Sequence, residues 1–334
     1  TAALAPLHLD CIIPFIQLLK LYSDYIPISS DFFPMLLCIS TLTENDLSDF
    51  EVNPEVFYEY AYSKNNHNAR SLCNSLIRYN KRCSKQFIQM ALFEQPSEPL
   101  LYLFSAVIHQ VTASKFEDAA VQWIINCYTS QFAQSSILIF STYLFLVSKF
   151  VLILPDDFLI EIFNVVVSII LSSSSIDCSG LNIPSFCQQA SQSLVVVINA
   201  IRVCNHITKK GIIAAPPQIV GAVIELLPKC STHYASKLLF NLLQYSKSDE
   251  NISGIFQSQK DIIKLNICEN ILSSLSSALS FDSNKEKKLL EEEYSNIFFY
   301  LGLLINILQI EPEPIITEQM CTVIEVLLKN FDED

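Results

Sequence analysis

The residues best suited to proton transfer near neutral pH are five histidines, at positions 8, 67, 109, 206 and 233. They lie far apart in the chain, and none has the HExxH or His/Cys spacing that a zinc site uses. Cys204 and His206 stand two apart in VCNHI. On a helix they point to different sides, which favours a structural role. Pro155-Asp156-Asp157 sets two carboxylates at an expected helix start. Paired acids do general acid–base work. Acids at that place also satisfy free N–H groups and the helix dipole, and the cap is the preferred reading. No glycine-rich phosphate loop is present, and Trp123 falls at helical spacing with Ala119, Ala120 and Cys127, as a core residue would. The sequence offers no catalytic residue, metal ligand set or cofactor site, so no enzymatic activity is expected.

The elements that would position side chains are helices. Of 334 residues, 51% are hydrophobic, 16% are charged and only five are glycine. So little glycine disfavours tight hairpins and doubly wound sheets. Apolar runs with buried-helix spacing predict helices over 8–22, 31–42, 54–63, 67–79, 82–94, 97–114, 116–132, 135–151, 156–172, 184–208, 217–227, 230–247, 259–280, 285–309 and 315–330. Pro96, Pro155, Pro184, Pro216-Pro217 and Pro314 mark helix starts, and Ser30-Asp31, Asn53, Ser97, Ser135 and Asp156 offer capping oxygens. Short connections predict antiparallel neighbours. In pairs these helices form units of about 40 residues, the length of HEAT-type repeats. The expected fold is all-α, a single continuous α-solenoid over 1–334 that is part of a longer chain; a compact helical bundle is the alternative. The start at Thr1 reads as a processed chain or a segment of a longer protein. Two stretches break the rhythm: the small polar loop Ser172–Asn182, expected to be mobile, and the charged Phe281–Asn296, read as a solvated face.

Net charge is −13, which argues against a nucleic-acid surface and favours basic partners. Eleven cysteines, an odd number without a CxxC, sit mainly on apolar faces, as reduced thiols in a reducing compartment would. The run Ser135–Leu154 is almost long enough to span a bilayer. Its polar residues Ser135, Thr142 and Lys149, with Ser141 and Ser148, repeat every seven positions and form one stripe. Glu161, Asn164 and Ser168 do the same on the next helix, and Ser295, Gly302 and Gln309 on a later one. Each stripe predicts a wet edge on a mostly buried helix, and no membrane insertion is expected.

One stretch differs in kind. LTENDLSDFEVNPEVFYEY (Leu42–Tyr60) carries Glu44, Asp46, Asp49 and Glu51, then turns at Asn53-Pro54 into an aromatic helix. Read alone, it is an exposed connector between repeats: the acids keep it soluble, Asn53 caps, Pro54 starts the helix, and Phe57 and Tyr60 pack inward. With NARSLCNSLI (Asn68–Ile77) it resembles a segment of the importin-β (karyopherin-β) superfamily of nuclear transport receptors. Phe50, Asn53, Pro54, Phe57, Arg70, Cys73 and Leu76 occupy the matching positions. Asn53 stands where Asp is more usual in that family, and Phe50 where Trp often sits, which leaves the subfamily open.

The resemblance implies a middle portion of such a receptor, working in cytoplasm and nucleus. It implies protein cargo on the inner face, a Ran-type GTPase, and FG-repeat nucleoporins on outer grooves. Release would be a population shift, with GTPase and cargo favouring different pitches of a flexible spring. On this reading Glu44, Asp46, Asp49 and Glu51 add to an acidic surface for basic cargo. A generic HEAT/armadillo interaction scaffold, without GTPase-linked release, is the alternative.

Overall fold

The structure is a computed structural model. It describes residues 32–62, 68–112, 115–175, 183–213, 216–227, 234–246 and 301–309, with separate positions outside these ranges. The described residues are helical, with no strand among them. The charged stretch Phe281–Asn296 and the latter part of the Ser172–Asn182 loop lie outside the described residues.

The chain divides into two compact units, residues 1–166 with 184–210, and residues 167–183 with 211–334. In the first unit α1 is Phe32–Ile39, α2 Glu44–Val52, α3 Pro54–Tyr62, α4 Ala69–Tyr79 and α5 Lys81–Ala91. Then follow α6 (Glu98–Phe104), a 3-10 turn (Ser105–Val107), α7 (Ile108–Val111), α8 (Glu117–Thr129) and α9 (Ile137–Phe150). Helix α10 runs Asp156–Ser172, α11 is Ser185–Ala190 and α12 Leu194–Lys210. The second unit holds α13 (Gln218–Leu226) packed on α14 (Tyr234–Ser246).

Local chemistry sets these boundaries. Asn80 ends α4 and begins α5: its N–H donates to the Leu76 carbonyl, and its Oδ1 accepts from Cys83 N–H at 2.7 Å. One residue thus makes the whole turn between two helices. Asn68 Oδ1 accepts from Ser71 N–H at 2.7 Å and starts α4. Ser136, one position after the expected cap, accepts from Ile139 N–H and starts α9.

Three sequence expectations change. The acidic stretch, expected as an exposed connector outside any helix, is exposed but forms a helix, α2, started by a capping box: Asp46 Oδ2 accepts from Thr43 N–H at 2.7 Å while Thr43 Oγ1 accepts from Asp46 N–H. The expected helix over 97–114 tightens into a 3-10 turn at Ser105, whose hydroxyl donates back to the Tyr102 carbonyl at 2.6 Å. The expected helix over 184–208 is two, broken at 191–193, where the Ser191 hydroxyl bonds the Gln188 carbonyl.

Helix α9 is the centre of the first unit, packed against α12 and α6. Its burial comes from Phe140, Tyr143, Leu144, Leu146, Val147 and Phe150, all inaccessible to solvent. Fully burying side chains of this kind contributes about 1.5–3 kcal/mol each. Helix α12 also packs against α3, so Tyr58 meets Asn199, 141 positions away. Trp123 is buried against Phe104, ring centroids 4.7 Å apart.

Candidate functional site

The stripes expected to be wet edges part ways. On α10 Glu161 and Asn164 are exposed and Ser168 is half-buried, as an edge requires. On the later helix Gly302 is half-buried, with Phe240 3.6 Å from where a Cβ would stand, and Gln309 is exposed. On α9 the stripe points inward: Ser141 and Thr142 are fully buried and Ser148 nearly so. A buried hydroxyl needs a partner; Ser148 donates to the Phe145 carbonyl at 2.7 Å, and Ser141 and Thr142 find theirs in a network that sequence spacing did not disclose.

The network begins at Arg70, 2% exposed. One guanidinium nitrogen donates to the Ser40 carbonyl at 2.6 Å and to Glu98 Oε2 at 3.0 Å, and the other donates to Glu98 Oε1 at 2.6 Å. Its face lies 3.9 Å from the centre of the Tyr102 ring. Burial works against the Arg70 charge, but the Glu98 carboxylate overcomes it and holds the pKa above the ordinary value. Thr142 Oγ1 donates to Glu98 Oε1 at 2.7 Å and lies 2.9 Å from the Tyr62 hydroxyl. Burial, then Glu98, pushes that phenol up to about 12. Tyr62 also donates to Ser141 Oγ, which accepts from Asn199 Nδ2 at 3.0 Å. Tyr58 donates to Asn199 Oδ1, and Arg202 donates to the Tyr58 hydroxyl, each at 3.4 Å. Side chains of α3, α4, α6, α9 and α12 are joined in one hydrogen-bonded series.

Its outer side opens into a cleft of about 660 Å3 in the first unit. Tyr62, Tyr102 and Phe145 form the inner wall, and Arg78, Lys149, Arg202, Lys209 and Lys210 stand around it. His109 and His206, distant in sequence, line the same cleft. Loss of hydration, then the charges of Arg202, Lys149 and Lys209, pushes His206 down to about 4, although part of the ring stays exposed. The acidic balance of the chain gave no sign of such a cluster, because its cations come from three separate helices.

The residues singled out in the sequence lie elsewhere, on the α2–α3 pair. Asp46 is used in the capping box, and Asp49 Oδ1 accepts from Asn53 Nδ2 at 3.0 Å. Asn53 Nδ2 therefore bonds back to α2, while the Asn53 carbonyl accepts from Phe57 N–H at 3.0 Å in the first turn of α3, where Pro54 is the first residue. Glu44 and Glu51 are exposed. Phe50 packs edge-to-face on the buried Phe57, centroids 5.1 Å apart, and Tyr60 is half-buried. No residue of α2 is buried; Leu47 (42%), Val52 (71%) and Val56 of α3 (61%) show apolar surface beside the acids. Of the positions that carry the resemblance, Arg70, Cys73 and Leu76 are buried in α4.

Cys73, Cys83, Cys127, Cys187 and Cys204 are buried free thiols, and Cys38 and Cys321 are exposed ones. Among the described residues no group of His, Cys, Asp and Glu is arranged to hold a metal ion, and no helix is long and apolar enough to cross a membrane. Comparison with protein-family models, with curated proteins and with solved structures finds no match.

Proposed function

We propose that this chain is a protein-binding helical scaffold of HEAT-type helix pairs, part of an importin-β-like transport receptor moving between cytoplasm and nucleus. The observation that carries it is the α2–α3 surface. Glu44 and Glu51 stand exposed beside Leu47, Val52 and Val56, around a helix with no fully buried residue. Carboxylates beside apolar side chains suit a basic, amphipathic segment of a protein cargo: charge steers it and the apolar groups hold it. The burial of Arg70, Cys73 and Leu76 is compatible with the structural part they have in the resemblance. A Ran-type GTPase and FG-repeat nucleoporins are the further partners this reading requires, with release by population shift.

A generic helical scaffold is favoured by one observation. A solenoid repeat touches only its neighbours, yet α3 meets α12. A pull-down with a GTP-locked Ran-type GTPase, its GDP form and FG-repeat peptide separates the two readings. GTP-selective capture together with FG binding supports the receptor; capture of neither leaves the scaffold. Glu44→Lys with Glu51→Lys then tests the surface, which must lose a Lys-rich peptide if the reading holds.

A further inference from the structure

Helix α5 presents a solvent face that has no part in the reading of the α2–α3 surface. Cys83, Ser84, Phe87, Ile88 and Ala91 are buried on one side of the helix. Lys81, Arg82, Lys85 and Gln89 are exposed on the other, and the helix carries no carboxylate. Phe93, just beyond its end, is 90% exposed. Among the described residues none of these three cations is ion-paired. This is unexpected in a chain of net charge −13.

Stability does not account for the cations. Lys81 and Arg82 are the first two residues of α5, where the positive end of the helix dipole repels them. Helices α2, α3, α6, α8 and α10 carry acids in their first turns instead. Arg70, equally early in α4, is matched by Glu98. Lys81 and Arg82 have no such match among the described residues. The turn before them is already closed: Asn80 accepts from Cys83 N–H through Oδ1 and from Ser84 N–H through its carbonyl. What this face offers a partner is therefore its side chains.

We infer that this face docks a short acidic segment of a partner protein, with Lys81, Arg82 and Lys85 taking its carboxylates and Phe93 an apolar side chain beside them. Lys81 and Lys85, one helical turn apart, are separated by about 6 Å along the axis. Alternate side chains of an extended segment stand on one side at a spacing of about 7 Å. Two carboxylates at alternate positions thus meet two lysines in register. Phe93 follows Lys85 by eight residues, so its apolar partner belongs roughly four residues further along the segment. A nucleic acid or an anionic membrane extends beyond the face and meets the carboxylates of an acidic chain. A short segment ends where the face ends, and within a Debye length of about 8 Å it is governed by the local cations and not by the net charge.

The test is fluorescence anisotropy of the 334-residue chain with a labelled peptide that has glutamate at alternate positions and a leucine further along. A peptide with lysine for each glutamate is the control. Saturable binding of the acidic peptide alone, weakening as salt rises, is expected. Lys81→Gln with Lys85→Gln should raise Kd about fivefold or more. Tm should not fall, because these cations oppose the helix dipole. Lys115→Gln with Lys209→Gln makes the same change in net charge at exposed positions elsewhere in the first unit and should leave Kd unchanged. Phe93→Ser should also weaken binding. The proposal is overturned if the acidic peptide does not bind, if the two lysine pairs weaken it equally, if Phe93→Ser binds as the parent chain does, or if the loss of binding comes with a fall in Tm. It is overturned too if an oligouridylate, a phosphatidylserine vesicle or a second copy of the chain occupies the face through Lys81 and Lys85 while the peptide fails.

Discussion

Arg70 and Glu98 face each other through two parallel hydrogen bonds of 2.6 and 3.0 Å, with 2% and 10% of their side chains exposed. The pair ties α4 to α6, and through Thr142 to α9. Losing one partner leaves a buried charge uncompensated, at a cost of about 3–5 kcal/mol. Arg70→Met and Glu98→Met should each lower the denaturation midpoint steeply. Replacing both by Met should recover much of the loss, because no charge then remains buried. A double-mutant cycle in urea measures this.

The buried hydroxyls of α9 make a smaller, separable claim. Thr142→Val keeps the shape but removes the donor to Glu98 and the partner of Tyr62. A destabilisation of about 1–3 kcal/mol is expected, against little change for Ser135→Ala at the exposed end of the same stripe.

His206 gives the first unit an acid-sensitive contribution. Its folded pKa lies below the unfolded one, so the unfolded chain takes up the proton first as pH falls. The stabilising contribution is whole above the unfolded value of about 6.5 and is lost as pH falls towards about 4. His206→Gln should show a shallower fall in stability between pH 7 and pH 5 than the parent chain, read as the shift in denaturant midpoint.

Burial pushes the thiols of Cys73, Cys83, Cys127 and Cys204 up to about 12. A thiol, not a thiolate, reacts poorly. Alkylation at pH 8, mapped by mass spectrometry, should mark the exposed Cys38 quickly and these four only after unfolding.

Gln131 follows α8 with φ of 61°, a left-handed conformation that suits glycine better. Gln131→Gly should raise stability by about 0.5–1 kcal/mol, seen as a small rise in Tm.

Much of the helix order was legible because apolar spacing and proline positions are local properties. The starts of α6, α10 and α13 fall within one or two residues of their expected places. What failed was non-local. The α9 stripe has the period of a solvent edge and that of a buried polar seam alike; only α3, α6 and α12, distant in the chain, decide which. Helix α2 was missed because it has no fully buried face and so no apolar period, and its capping box alone announces it. The Arg70–Glu98 pair bridges 28 positions and the cationic cleft draws on three helices, so neither has a sequence period. The breaks at Ser105 and Ser191 come from hydroxyls turned back on the carbonyls three residues earlier, Tyr102 and Gln188, which composition does not reveal.

The hydrogen bonds from Asn199 to Ser141 have a consequence for synthesis. Ser141 leaves the ribosome 58 residues ahead of Asn199, and Tyr58 leaves it 141 residues ahead. Until α12 follows, the inward hydroxyls of α9 lack these partners and its apolar faces lack a cover. The nascent chain must therefore carry an unfinished seam through most of the making of its first unit. A ribosome stalled before Asn199 would hold a chain open to protease along α9, and one stalled after Lys210 has cleared the exit tunnel would hold a closed one.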